Sequence, residues 1–252
     1  MIAELRSHVW RACRLARAEI AALTALLVLT GGVLAFIELA DLMADEEGRR
    51  FDRAILDILR PYADDPGRPW GPWWLHEAAA DITSLGGISV LGLFALIAVG
   101  FLIMTSKRLS AVLLVAGLAG GVLLSEGLKA VFERERPPVE VQVVETLNAS
   151  FPSGHALLAT VFYLTLGVML TQAFPRRRFK AYALGVGVVL ALLVGVTRVY
   201  LGAHWATDVI AGWCVGAAWA MALWLAAYAA QRLSRRSALR DEPSPEAAAP
   251  EV

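Results

Sequence analysis

Three short stretches of this 252-residue chain carry side chains able to handle a multiply charged anion. The first runs from Lys129 through Glu133, Arg134, Glu135 and Arg136 to Pro137. The second is Phe151-Pro152-Ser153-Gly154-His155. The third runs from Thr197 and Arg198 through His204 and Trp205 to Asp208. Lys129, Arg136 and Arg198 are fixed cations, and arginine offers a bidentate fork to phosphate-like oxygens. Pro152-Ser153-Gly154 opens a helix, whose first turn presents free N–H groups and a positive dipole end to an anion. Gly154 lets the backbone approach closely, and the Ser153 hydroxyl donates a further bond. His204 and Asp208 are four apart, so on a helix they share a face. A carboxylate there can hold the imidazole in one tautomer and leave its other nitrogen free to attack. His155, from a different helix, can protonate a leaving oxygen. A nucleophile, its orienter, an acid and an anion cradle are all present.

Each residue also has a plainer use when taken singly. Arg134 and Arg136 beside Glu133 and Glu135 make an ordinary solvated helix end, and Lys129 can pair with Glu126 at helical spacing. Asp208 alone is a helix N-terminal acid favoured by the dipole. The joint occurrence of three clusters, in this order, favours a site. His8 and His76 belong to no cluster, while Tyr200 and Trp205 are expected to line or anchor the site.

The elements that must position these groups are apolar helices. The chain is 58% hydrophobic and 18% charged, against about 25% charged in an ordinary soluble domain. A hydrocarbon core takes about 20 apolar residues per helix, and six stretches qualify: 20–40, 87–105, 109–131, 155–174, 181–200 and 207–230. Glycines four apart, Gly117 with Gly121 and Gly212 with Gly216, suit close helix packing. Basic residues cluster at Arg6, Arg11, Arg14 and Arg17, at Lys107 and Arg108, at Arg176, Arg177, Arg178 and Lys180, and at Arg232, Arg235 and Arg236. With six alternating spans, all four groups fall on one side, which the loop-charge rule makes cytoplasmic. Both termini then lie inside, and all three clusters lie at the outer face of the cytoplasmic membrane.

The expected architecture is all-α: a six-span transmembrane helical bundle with a short extracytoplasmic interfacial helical segment. Residues 1–17 form a basic cytoplasmic segment, 18–230 the six-span domain, and 231–252 a disordered cytoplasmic tail. The outer loop 41–86 is acid-rich. Its Phe51–Leu59 portion has helical spacing, and Trp70, Trp73 and Trp74 form an aromatic belt.

Lysine plus arginine equal aspartate plus glutamate, 23 each, which argues against a nucleic-acid partner bound through bulk basicity. The two cysteines, Cys13 and Cys214, have no zinc or redox spacing and read as packing residues. No carboxylate cluster or histidine set suits a metal. A transporter would carry its ionisable groups near the bilayer midplane; here they gather at one surface.

At these residues the sequence resembles the type 2 phosphatidic acid phosphatase superfamily. Its pattern is Lys, six residues, Arg-Pro; then Pro-Ser-Gly-His; then Ser-Arg, five residues, His, three residues, Asp. Lys129, Arg136-Pro137, Pro152 to His155, Arg198, His204 and Asp208 all match, and Thr197 stands where serine is usual, keeping the hydroxyl. The resemblance implies a membrane lipid phosphate phosphatase that uses no metal or cofactor. Its substrate would be a lipid phosphate or diphosphate of the phosphatidic acid, phosphatidylglycerophosphate or undecaprenyl diphosphate class. It implies His204 as the nucleophile that becomes a phosphohistidine, Asp208 as its orienting carboxylate and His155 as the general acid. It implies Lys129, Arg136, Ser153, Gly154 and Arg198 as the phosphate cradle. A phosphotransferase would use the same phosphohistidine, and a vanadium-dependent haloperoxidase the same cradle, although six spans argue against the latter. The oligomeric state has no signature in the sequence.

Overall fold

The computed structural model describes residues 2–144 and 148–240, with side chains described for 19–144 and 148–233. Eight α-helices follow one another among these residues: α1 (Ile2–Ala44), α2 (Glu46–Leu59), α3 (Trp73–Ser84), α4 (Ile88–Met104), α5 (Arg108–Phe132), α6 (Gly154–Ala173), α7 (Arg177–Tyr200) and α8 (Ala206–Arg240). One 3₁₀ turn, Val139–Val141, lies between α5 and α6, and the described residues contain no strand. The all-α expectation holds.

Five helices are long and apolar enough to cross a membrane, and a sixth span results if α3 and α4 count as one, bent by 50°. The stretch expected at 87–105 is helical over only 17 residues, Ile88–Met104. At 1.5 Å per residue that is about 26 Å, short of a hydrocarbon core of about 30 Å; α3 supplies further length across the Leu85-Gly86-Gly87 break. Many large apolar side chains point outward, such as Leu96, Ile97, Phe101, Leu123 and Val131. Their solvent is lipid, and the helical backbone satisfies its own polar groups there.

The structure falls into two compact units. Residues 28–220 form the larger one and hold every candidate site residue. Here α6 is the central helix. Its run from Ala156 to Tyr163 is buried and packs with Leu91 of α4, Leu114 of α5 and Val194 of α7. Helix α8 approaches the α6 backbone closely because Gly212 faces the Ser153 carbonyl and Gly216 faces the Leu157 carbonyl and Thr160. A side chain at either position would hold the two helices apart. The smaller unit joins, of the described residues, 2–27 with 221–240; within it Arg232 pairs with Glu19 and Trp224 stacks on Tyr228.

Two boundaries differ from expectation. Helix α8 runs on to Arg240, past the boundary at 230, so 231–240 are helical; the rest of the tail, 241–252, lies outside the described residues. Helix α2 covers Glu46–Leu59, longer than the Phe51–Leu59 portion, and α3 adds a second helix within residues 41–86. The buried residues of α2 are Gly48 and Asp52, whereas Phe51 and Ile58 are exposed. The helix therefore turns a carboxylate toward the protein, on the same face as its half-buried Ile55, Leu56 and Leu59, the last packed against Tyr200 and Leu201.

Candidate active site

The site forms where the C-terminal ends of α5 and α7 meet the N-terminal ends of α6 and α8. His204 does not share a helix face with Asp208, as the spacing suggested. It lies in the turn after Tyr200, where the Ala203 and His204 amides both bond to the Arg198 carbonyl. Gly202 takes φ of +68° in that turn, and a side chain there would run into the Val141 carbonyl and Arg60. Asp208 is in the first turn of α8 and reaches back to the Trp205 amide at 2.9 Å. That is the reach-back half of a capping box. The plain use of Asp208 as a helix N-terminal acid and its place beside the histidine are thus one arrangement.

Asp208 is fully buried. Its Oδ2 lies 3.5 Å from His204 Nδ1. The Ser150 hydroxyl bridges the two, donating to Asp208 Oδ2 at 2.5 Å and lying 3.3 Å from His204 Nδ1. On the other side of the ring, Arg136 Nη1 lies 3.2 Å from Nε2. A guanidinium can only donate, so Nε2 is the acceptor and the ring proton sits on Nδ1, toward Ser150 and Asp208. Burial pushes the imidazole down to about 4; Asp208 opposes this, and Arg136 and Arg198 add to it. At neutral pH the ring is uncharged, with an Nε2 lone pair.

Arg136 is held by the chain on either side of the site: by Asn148, through its carbonyl and side chain at 2.6 Å each, and by the Ala203 carbonyl at 2.6 Å. Lys129, in the last turn of α5, is buried and bonds Glu126 at 2.8 Å. It also lies beside Gly154, where a β-carbon would come within 3.6 Å of its Nζ and 3.0 Å of Ser125 Oγ. Arg198 is buried and approaches Thr83 of α3 at 3.4 Å. Ser153 is the N-cap of α6 yet its side chain caps nothing; an N-cap serine ordinarily bonds the N2 or N3 amide. Its hydroxyl and Arg198 Nε are buried polar atoms without a partner, and so is Ser125 Oγ. Orphaned donors of this kind call for an explanation, and a bound oxyanion would supply one. His155 packs near Gly87 and lies within electrostatic reach of Arg198, His204, Lys129 and Arg136. Phe151, next to the Pro-Ser-Gly-His run, sits between Phe36 of α1 and Phe132 of α5, which anchors the start of α6.

The structure therefore gathers all eight candidate residues at one end of the helices. Tyr200 anchors the segment, donating to the Trp70 carbonyl at 2.7 Å, and Trp205 binds the Glu135 carbonyl at 3.0 Å. Sequence spacing missed Ser150, Asp52 and Arg134. Arg134 is not a solvated helix end. It donates to Asp208 at 2.5 Å and to Asp52 at 2.7 Å. No signal singled out Asp52, one acid among several on the amphipathic helix α2. Next to Arg136 a cleft of about 470 Å³ opens between α2 and the chain after α5, lined by Arg49, Asp52, Arg53, Arg134 and Trp205 among others. Among the described residues no three His, Cys, Asp or Glu side chains gather as a metal site would need.

An all-helical chain with several membrane spans and cations ringed around a buried histidine at the helix ends has the form of a membrane phosphatase. The PAP2 superfamily model matches residues 110–232. Phosphatidylglycerophosphatase B of Bacillus subtilis (strain 168) is 35% identical over 145 residues, covering 57% of this chain and 70% of that protein. An undecaprenyl-diphosphatase of Sulfolobus acidocaldarius is 34% identical over 120 residues, 46% of this chain and 54% of that one. Among solved structures, the first transmembrane PAP2 type phosphatidylglycerolphosphate phosphatase from Bacillus subtilis superposes with a TM-score of 0.72 at 28% identity, over 79% of this chain and 94% of that one. Aquifex aeolicus LpxE shares the fold, with a TM-score of 0.52 at 21% identity over 69% of this chain and 94% of its own. The chain belongs to the PAP2 superfamily and is a multi-pass membrane lipid phosphatase.

Proposed function

We propose that the enzyme cleaves a lipid phosphate or diphosphate through a phosphohistidine on His204. The observation that carries this is the pairing of an uncharged His204, its Nε2 lone pair held by Arg136, with unpartnered buried donors on Ser153 and Arg198. Nε2 attacks phosphorus in line with the lipid oxygen. The N–P bond forms as the P–O bond breaks, and His155 gives its proton to the departing oxygen. The imidazole becomes cationic, and Asp208 with Ser150 stabilises it through Nδ1–H. Water then attacks the phosphohistidine, with His155 taking the water proton back. Lys129, Arg136, Arg198, the Ser153 hydroxyl and the amides at Gly154 hold the non-bridging oxygens as charge develops on them. The reading draws on these side chains and on no metal or cofactor.

A lipid substrate suits a site at the ends of apolar helices, where a tail stays in the bilayer while its head enters. The names of the relatives support phosphatidylglycerophosphate and undecaprenyl diphosphate as substrates to try, beside phosphatidic acid. Loop charge supports six spans, both termini in the cytoplasm, the segment 41–86 outside and the site at the outer face of the cytoplasmic membrane. The test is phosphate release from these three lipids in detergent, by wild type and His204→Ala. Trapping of a phosphorylated His204 in wild type supports the reading, and normal turnover by His204→Ala overturns it.

A further inference from the structure

We propose that Asp52, on α2, is a positioning residue for this chemistry: through Arg134 it sets how much of the Asp208 carboxylate is left to face His204. The proposal rests on the His204 reading above. Asp52 belongs to none of the three clusters and is distant in sequence from all of them, yet its side chain is 1% exposed. Its Oδ2 accepts from Arg134 Nη2 and from the Thr207 hydroxyl, both at 2.7 Å, and its Oδ1 accepts from the Thr207 amide at 3.0 Å. The other arm of Arg134 reaches Asp208 Oδ1 at 2.5 Å and Thr207 Oγ1 at 2.7 Å. One guanidinium is thus shared between two buried carboxylates, which its rigid planar fork serves in a fixed geometry.

The charges decide what this sharing does. Asp52, Arg134 and Asp208 sum to one negative charge, beside a histidine that starts neutral and turns cationic when it takes the phosphoryl group. Without Asp52, Arg134 would pair with Asp208 alone and cancel the charge that stabilises the cation. Without Arg134, Asp208 would face His204 unscreened. The other groups facing His204 are Arg136 after α5, Arg198 on α7, His155 on α6 and the Ser150 hydroxyl; none belongs to α2. A tether that merely holds α2 in place would leave the titration of His204 where it is.

The experiment measures kcat, KM and the acid limb of kcat/KM for phosphatidic acid, on the full-length chain in detergent, with thermal unfolding run in parallel. Asp52→Asn should lower kcat by about 10–100-fold, by analogy with the outer carboxylates that orient metal-bound histidines, with little change in KM. Its acid limb should move to lower pH, because the imidazolium loses stabilisation. Arg134→Gln should move the limb to higher pH, and adding Asp52→Asn to it should produce no downward move. An Asp52→Asn enzyme that is folded and has the wild-type limb overturns the proposal, as does a downward move that persists without Arg134. Should Asp52→Asn not fold, Arg134→Gln and the double variant, which removes the buried pair together, decide by the same upward move or its absence. Wild-type turnover in His204→Ala overturns the His204 reading and this proposal with it. An inactive His204→Ala beside an unmoved Asp52→Asn overturns this proposal alone.

Discussion

At the scale of residues, the controlling fact is that His204 is buried and uncharged. Its ionisation lies near pH 4, below the ordinary histidine value of about 6.5. In the proposed mechanism the neutral ring is the reactive form, so its ionisation should give kcat/KM an acid limb near pH 4, which a pH–rate profile on the free enzyme reads directly. The same shift bears on stability. The folded-state value lies below the unfolded one, so the unfolded chain takes up the extra proton first. Stability from this residue is complete above about pH 6.5 and declines as pH falls from there toward 4, which thermal unfolding across that range would register. In the cradle, Ser153→Ala removes a donor with no other bond to lose. By analogy with oxyanion donors it should raise the barrier by about 3 kcal/mol, a loss of about two orders of magnitude in kcat with unfolding unchanged. Asp208→Asn should cost more, since an amide has one accepting oxygen for the three donors on Arg134, Ser150 and Trp205 and no charge to stabilise a cation. Lys129, Arg136, Arg198, His155, His204 and Asp208 were all legible as residue types at fixed spacing. Ser150 was not, because a serine in an irregular segment carries no pattern; only the fold brings it between Asp208 and His204.

At the scale of elements, the site is made from helix ends. In the proposed cradle the first turn of α6 offers its amides to an anion, and Gly154 leaves the room for it to approach. Gly154→Ala would place a methyl 3.0 Å from Ser125 Oγ and 3.6 Å from Lys129 Nζ, inside the cradle. It should weaken phosphate-mimic inhibition, measured with vanadate, and lower kcat/KM, although alanine raises helix propensity. Gly202→Ala acts differently. Its φ of +68° and the crowding by Val141 strain the turn that presents His204. The expected result is a lower unfolding temperature, with a cost of about 1–3 kcal/mol. Hydropathy located the apolar stretches because lipid demands a long apolar run, but it missed that α1 begins at Ile2, that α8 runs on to Arg240 and that α4 reaches span length only with α3. It could not show which face of α2 turns inward, since the partner of Asp52 is an arginine whose charge reads as solvated until the fold closes over it.

At the scale of the whole molecule, loop arginines set the proposed orientation. In a background with Cys13 and Cys214 replaced by serine, Asp65→Cys should react with a membrane-impermeant thiol reagent from outside intact cells. Pro175→Cys should react only after permeabilisation, and the reverse pattern would invert the topology. Sequence by itself determined the class of the molecule. An apolar excess in long runs forces helices across lipid, and three motifs at fixed spacings select phosphate chemistry, because both signals are local or nearly so. Tertiary structure decided the rest. It placed His204 in a turn rather than on a helix, lodged Ser150 between the ring and its carboxylate, left the Ser153 and Arg198 donors free, and brought Asp52 from α2 onto Arg134. Those are contacts between residues far apart in the chain. Their energies depend on burial and on the direction of each side chain, which no spacing along a sequence contains.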